Sequence, residues 1–343
     1  MKHIEISKRI FHFKQPAGTS RGIYTTRQSY FLTLTDDGMP GIKGVGECAP
    51  LPKLSCDDLP DYETILHQIC KLVESTDKIP YALLRPYPSI LFGLETAFAQ
   101  FNTHGSTMLF DTPFGRGEEG IRINGLVWMG SFDEMAERLE AKLRQGFHCV
   151  KLKIGAIDFE KEIELIRHIR ESFDKHQVEL RVDANGAFTP KNALQHLETL
   201  AKYDIHSIEQ PIKQHQWDDM AHLCAASPLP IALDEELIGV NVAAMKEALL
   251  DTIRPQYIVL KPSLHGGMRG TEEWIRLAHA RGIGSWITSA LESNIGLNAI
   301  AQLCAKLYGP RISTPQGLGT GQLFTDNITM PLTIRGDEMW ITQ

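Results

Sequence analysis

Five ionisable residues sit near the ends of five successive short apolar runs: Lys153 in HCVKLKIG, Asp183 in LRVDANG, Glu209 in HSIEQPI, Asp234 in IALDEEL and Lys261 in YIVLKPS. The gaps between them are 30, 26, 25 and 27 residues. A strand, a helix and two short loops take roughly 30 residues. The ladder therefore predicts Lys, Asp, Glu, Asp and Lys on one rim of a parallel β/α barrel, the rim on which such barrels carry their chemistry. Three carboxylates between two amines suit a divalent metal flanked by bases.

Asp183, Glu209 and Asp234 offer three hard oxygen donors and leave room for water and substrate, which fits Mg²⁺. No cysteine or histidine shares these positions, which disfavours zinc. Any one of these acids alone would be read more simply as a loop charge or a helix cap, so it is the shared register that points to a metal. Lys151 and Lys153 are two apart on a strand and share a face. Their mutual repulsion, with a metal nearby, is expected to lower the pKa of at least one and make it a base. The competing reading, lysines guarding an exposed edge strand, conflicts with the place of this run inside the parallel series. Lys261, followed by Pro262, approaches from the opposite side of the mouth. A base on one face, a cation on the other and a metal on the carboxylate would remove a proton α to a carboxylate, neutralising charge as it forms.

The positioning elements follow from periodicity. Residues 1–115 show alternating segments at 2–14 and 28–36, the turn Asp36-Asp37-Gly38, and helical stretches near 59–75 and 89–104, an α+β unit. Pro16–Gly22 reads as a mobile loop and the Pro-punctuated Gly46–Pro52 as a stiff one. Through 116–319 apolar runs alternate with amphipathic helices, the pattern of parallel strands buried on both faces. Ser131-Phe-Asp-Glu134 is a capping box, with the helix ending at Gly146. Further helices are predicted at 158–175, from Thr189-Pro190 to about 203, and at 294–308. Seven or eight strands make the α/β class a barrel. Residues 320–343 are expected to return to the first domain. A doubly wound sheet is the alternative, but no dinucleotide fingerprint follows the first strand, and Gly317-Leu-Gly-Thr-Gly321 is late and lacks the helix.

Composition excludes other classes. Hydrophobic content is 43%, charged content 22% and net charge −7, a folded chain without the basic tract of a nucleic-acid binder. The six scattered cysteines have no CxxC spacing and read as reduced thiols. The N-terminus reads as a strand and not as a signal peptide, and no apolar run approaches a membrane span. A cytoplasmic location is expected, with a small-molecule carboxylate substrate; a homo-oligomer is neither implied nor excluded. The thirteen histidines contain no HExxH. Trp217, Trp274, Trp286, Met129, Met245 and Met268 read as packing residues.

KLK (151–153), DAN (183–185), EQP (209–211), DEE (234–236) and LKP (260–262) together resemble the muconate-lactonising branch of the enolase superfamily, whose general pattern is lysine or histidine bases beside Mg²⁺. The resemblance spans nearly the whole chain. It implies a modified (β/α)₇β TIM-type barrel with an N-terminal α+β capping domain, Lys153 and Lys261 as the catalytic pair, and Asp183, Glu209 and Asp234 as Mg²⁺ ligands. Lys151 would tune Lys153, with Arg181 and Asn185 in support. Within that branch, GECAPLPKLS (46–55), LKPSLHGG (260–267) and ITSALESNIGLNAIAQL (287–303) are similar to the synthases of menaquinone biosynthesis. The implied reaction is syn-dehydration of 2-succinyl-6-hydroxy-2,4-cyclohexadiene-1-carboxylate, with Ser289 near a substrate carboxylate and the loops at 16–22 and 46–52 as a lid. N-succinylamino acid racemases share every one of these groups, and muconate cycloisomerases fit the loops less well. Dipeptide epimerases usually carry Asp-x-Asp on the last barrel strand, and residues 317–322 hold no acid. A non-catalytic barrel would be expected to have lost one of the five groups, and all five are present.

Overall fold

The computed structural model describes residues 1–19 and 22–342. Strands β1 (Lys2–Thr19) and β2 (Gly22–Asp36) form a long antiparallel ribbon, and β3 (Gly44–Cys48) adds to the far side of β2. Alternate residues of β2, among them Tyr30 and Leu32, turn inward onto α1 (Tyr62–Thr76) and α2 (Pro88–Asn102), where Leu66, Val73, Ile90 and Leu94 complete a small core. The ribbon runs further than the sequence pattern predicts. Ala17, Gly18 and Thr19 pair with Tyr24, Ile23 and Gly22 after a register shift beyond His12, so most of the expected 16–22 loop is strand. Strand propensity there is weak, and cross-strand pairing overrides it. Residues 20 and 21, the rest of that loop, lie outside the described residues.

After β4 (Ile121–Arg122) the chain alternates strand and helix: β5 (Gly125–Val127), α3 (Phe132–Arg144), β6 (Cys149–Lys153), α4 (Phe159–Ser172), β7 (Glu179–Asp183), α5 (Pro190–Leu200), β8 (Ser207–Glu209) and α6 (Trp217–Ala226). It continues through β9 (Ile231–Leu233), α7 (Ala243–Ile253), β10 (Tyr257–Leu260), α8 (Gly267–His279), β11 (Gly284–Ile287) and α9 (Asn294–Tyr308). Strands β5 to β11 form one parallel sheet in sequence order. Its two edges meet at a two-residue segment. Gly317 bridges Thr288, just past β11, and Gln316 bridges Ile123, just before β5. The capping box at Ser131 and Glu134 forms as expected, and Gly146 closes α3 with φ 83°.

The C-terminal segment divides. Phe324 bridges Phe13 and stacks on it with centroids 4.7 Å apart, whereas β12 (Leu332–Arg335) and β13 (Glu338–Ile341) form a small sheet with β4. All six cysteines are free thiols. Among the described residues, no helix is long and apolar enough to cross a membrane.

Strand β3 matters to the site because the segment 49–52 leaves from it. It lies directly on α2: a Cβ on Gly46 would sit 1.8 Å from the Gly93 carbonyl oxygen. Neither backbone can retreat, since one belongs to a sheet and the other to a helix. Gly46→Ala is therefore expected to destabilise the protein by about 3 kcal/mol, read as a lowered midpoint in denaturant unfolding. An unchanged midpoint would show that the two elements separate freely.

Candidate active site

Side chains on the inner face of the parallel sheet stack in layers, because alternate residues of each strand point inward. The floor is aromatic and aliphatic: Ala232, Val259 and Trp286 pack together with Tyr257 against them. One step toward the C-terminal ends the layer becomes ionic. Lys153, Asp183 and Glu209 are the last residues of β6, β7 and β8, and Asp234 and Lys261 directly follow β9 and β10. The five residues of the ladder thus meet at one mouth.

Both lysines of KLK turn inward. Lys151 Nζ lies 2.9 Å from Glu209 Oε2 and 3.2 Å from Asp183 Oδ2, and Lys153 Nζ lies 2.8 Å from the same Asp183 oxygen. Lys261 donates to Asp234 Oδ2 from across the mouth. Of the pair for which repulsion is expected to lower at least one pKa, Lys151 is not lowered. Burial opposes the charge on Lys151, but Glu209 and Asp183 outweigh it and raise its pKa. Lys261 is likewise opposed by burial and raised by Asp234, Glu209 and Glu235. Lys151 touches Glu209 and Asp183, and Lys261 is bonded to Asp234; these close opposite charges decide the sign.

The acids divide by partner. Burial pushes Asp183 up, yet the adjoining Lys153 and Lys151 bring it well below the ordinary carboxylate range. Glu209 is pushed up to about 8, first by burial and then by the charge of Asp183. Asp234 and Glu235 are also raised, chiefly by burial. Four acids thus share three ammonium groups. Glu209 Oε1, Asp234 Oδ1 and Glu235 Oε2 are buried oxygens without a hydrogen-bond donor. Among the described residues no three Asp, Glu, His or Cys side chains form a ready-made cage. Buried, donor-poor and oxygen-only, the set suits a hard cation such as Mg²⁺.

Asn185 holds a left-handed backbone (φ 45°), which asparagine tolerates better than most residues. Its Oδ1 accepts from Lys153 Nζ at 2.7 Å and its Nδ2 donates to Glu235 Oε1 at 2.9 Å. Ser289 faces the same pocket and shares a hydrogen bond with the Thr320 hydroxyl. Arg181 does not reach the pocket. It lies under the ionic layer, bonded to Glu179 (2.7 Å) and the Pro315 carbonyl (3.0 Å), with its guanidinium 4.4 Å from the Trp286 ring centroid.

Several lining residues carried no sequence flag. Glu235 is overshadowed by Asp234 beside it. Asn124, Leu126 and Trp128, in and beside β5, line the pocket, and Lys153 Nζ lies 6.0 Å from the Trp128 ring centroid. Their spacing of two was the available clue, since alternate residues of an inward-facing strand share the pocket.

The N-terminal unit supplies the rim through Tyr24, Leu51 and Leu54. Buried Arg27 bonds the carbonyls of Ala49 and Pro50 (2.5 Å each) and that of Leu291 (3.3 Å), tying the 46–52 segment to the turn after β11. Glu47 accepts from Ser29 Oγ (2.7 Å), Ser293 N (2.9 Å), Ser293 Oγ (2.6 Å) and Gly296 N (2.9 Å), which caps α9 from the other unit.

With this geometry, residues 134–340 match the model of the enolase C-terminal domain-like family. The chain belongs to that family. It is 48% identical to the o-succinylbenzoate synthase of Desulfotalea psychrophila, over 94% of this chain and 95% of that one. The crystal structure of MenC from Desulfotalea psychrophila LSv54 superposes with a TM-score of 0.83 at 43% identity, covering 99% of both chains. The L-Ala-D/L-Glu epimerase of Bacillus subtilis, solved in complex with substrate, shares the fold at 23% identity with a TM-score of 0.84, over 99% of this chain and 95% of that one.

Lys151 supports two acids at once. Lys151→Met should leave Glu209 and Asp183 short of a partner and cost about 3–5 kcal/mol of stability in metal-free protein, measured by urea unfolding. A cost below about 1 kcal/mol, the usual range of an exposed pair, would mean that the acids do not depend on this ammonium.

Proposed function

We propose that the chain is an o-succinylbenzoate synthase, which removes water from 2-succinyl-6-hydroxy-2,4-cyclohexadiene-1-carboxylate in menaquinone biosynthesis. The observation that carries this reading is the meeting of Lys153 and Lys261 over Asp183, Glu209 and Asp234 at one barrel mouth, in a chain 48% identical to a synthase of that name. The finer architecture belongs to the same proposal: a (β/α)₇β barrel over 116–319, with Gln316 and Gly317 as the rung of its last strand, and a capping domain of residues 1–115 joined by 320–343. So does a cytoplasmic setting.

Asp183, Glu209 and Asp234 would hold Mg²⁺. Bound there, the ion would supply positive charge against the negative charge that develops on the substrate carboxylate. Lys153, as the neutral amine, takes the α-proton, and the C–H electron pair is held toward the carboxylate. The same nitrogen, now an ammonium, protonates the hydroxyl leaving from the same face, so the elimination is syn and releases one water. Lys261 remains an ammonium on the opposite face and stabilises the developing oxyanion. Asn185 Oδ1 and Asp183 Oδ2 together hold Lys153 Nζ, at 2.7 and 2.8 Å. Trp128, Leu51 and Leu54 keep the site apolar around the ring.

Because both lysines border the pocket, N-succinylamino acid racemisation is the second reading: it needs two bases, where dehydration needs one. Purified protein with Mg²⁺ is expected to dehydrate the cyclohexadiene carboxylate. Dehydration without α-deuterium exchange of an N-succinylamino acid in deuterated water assigns the synthase alone; exchange without dehydration overturns the proposal. Lys153→Ala should lower turnover by at least about 10³-fold with the fold intact by circular dichroism, and retained turnover would remove Lys153 from the mechanism. Asp234→Asn should weaken Mg²⁺ binding about tenfold or more in calorimetry, with equal affinity arguing against its role as ligand.

A further inference from the structure

His265 lies wholly buried at the end of the segment that carries Lys261, and none of the chemistry above uses it. Its Nδ1 accepts the backbone N–H of Lys261 at 2.9 Å. The same short turn returns to Lys261 from the other side, where the Lys261 carbonyl accepts from Leu264 N (2.8 Å) and His265 N (3.0 Å). Both main-chain polar groups of the lysine are thus held by residues three and four positions later. The turn is closed by Gly267 N donating to the Pro262 carbonyl at 2.8 Å. Two consecutive left-handed glycines, Gly266 (φ 96°) and Gly267 (φ 71°), let the chain leave it directly into α8.

An imidazole that accepts at Nδ1 carries its proton on Nε2 and is neutral. Burial, reinforced by the charges of Lys261 and Lys246, keeps it so. Packing alone would not select this geometry. The ring leaves Nε2 without a partner in a buried place, a desolvation cost that an apolar side chain of equal size would avoid.

We propose that His265 is a positioning residue for Lys261, its ring accepting the lysine's backbone N–H so that Cα, and with it the ammonium, is fixed on the Asp234 side of the pocket. This rests on the reading that Lys261 takes part in the reaction. The device is local, so it would act on the lysine's reach without changing what the pocket binds.

Two substitutions separate positioning from packing. His265→Asn keeps an acceptor at the same number of bonds from Cα and loses ring volume; His265→Leu keeps the volume and loses the acceptor. Positioning expects the Leu protein to fall roughly 100-fold in kcat with KM within about threefold, and the Asn protein to retain most turnover despite a lower unfolding temperature. A packing role expects the reverse order, and Leu equal to or better than Asn in kcat would overturn the proposal. A readout independent of variant folding is the ¹⁵N spectrum of histidine-labelled wild-type holoenzyme. It should show His265 protonated on Nε2 and bare on Nδ1, and the opposite tautomer would also overturn it. Lys261→Ala tests the underlying reading separately: full turnover there removes both claims, whereas its loss together with an unimpaired His265→Leu removes only this one.

Discussion

The site turns on an imbalance of buried charge. Asp183, Glu209, Asp234 and Glu235 share the ammonium groups of Lys151, Lys153 and Lys261 in a layer almost closed to water. A carboxylate short of positive charge in such a place is costly, and the cost is visible in Glu209, pushed up to about 8, and in oxygens with no donor. A divalent cation bound there, as proposed, would relieve that cost. Removing α-protons from carboxylates needs the same features, because charge created on the substrate must find a positive partner without help from solvent.

The rest of the fold builds this layer and shields it. Parallel strands carry the acids and amines to one level, and the Trp286 floor closes the layer from below. Above it, the N-terminal unit reaches over with Tyr24, Leu51 and Leu54. That unit is held by polar contacts set in otherwise apolar surroundings. Arg27 binds carbonyls of both units, and Glu47 caps α9. Buried ionic groups satisfied by several partners fix geometry more narrowly than apolar contact does, which suits a rim that must sit over a reacting ring.

Much of this was legible in the amino-acid order. The seven apolar runs became seven strands, because such runs with trailing amphipathic helices have few other ways to be buried. The five ladder residues met at one mouth because each ended a run of the same kind. The capping box at Ser131 and the helix at 294–308 came from local rules that tertiary context did not override. What escaped was set across the fold. Lys151 is raised and not lowered because its nearest charges lie on β8 and β7, the first of them 58 residues away, where adjacency to Lys153 gives no hint of them. Arg181 fell to the floor since it precedes Asp183 by one full pleat. Arg27 lies in no motif, and although Glu47 and Glu235 lie within GECAPLPKLS and DEE, the partners that define their roles are in other segments.

The most direct test is a crystal structure of the protein with Mg²⁺ and the dehydrated product. One ion should be held by oxygens of Asp183, Glu209 and Asp234, with Lys153 and Lys261 on opposite faces of the product ring. An ion bound elsewhere, or three acids still paired only with lysines while product sits in the pocket, would contradict it.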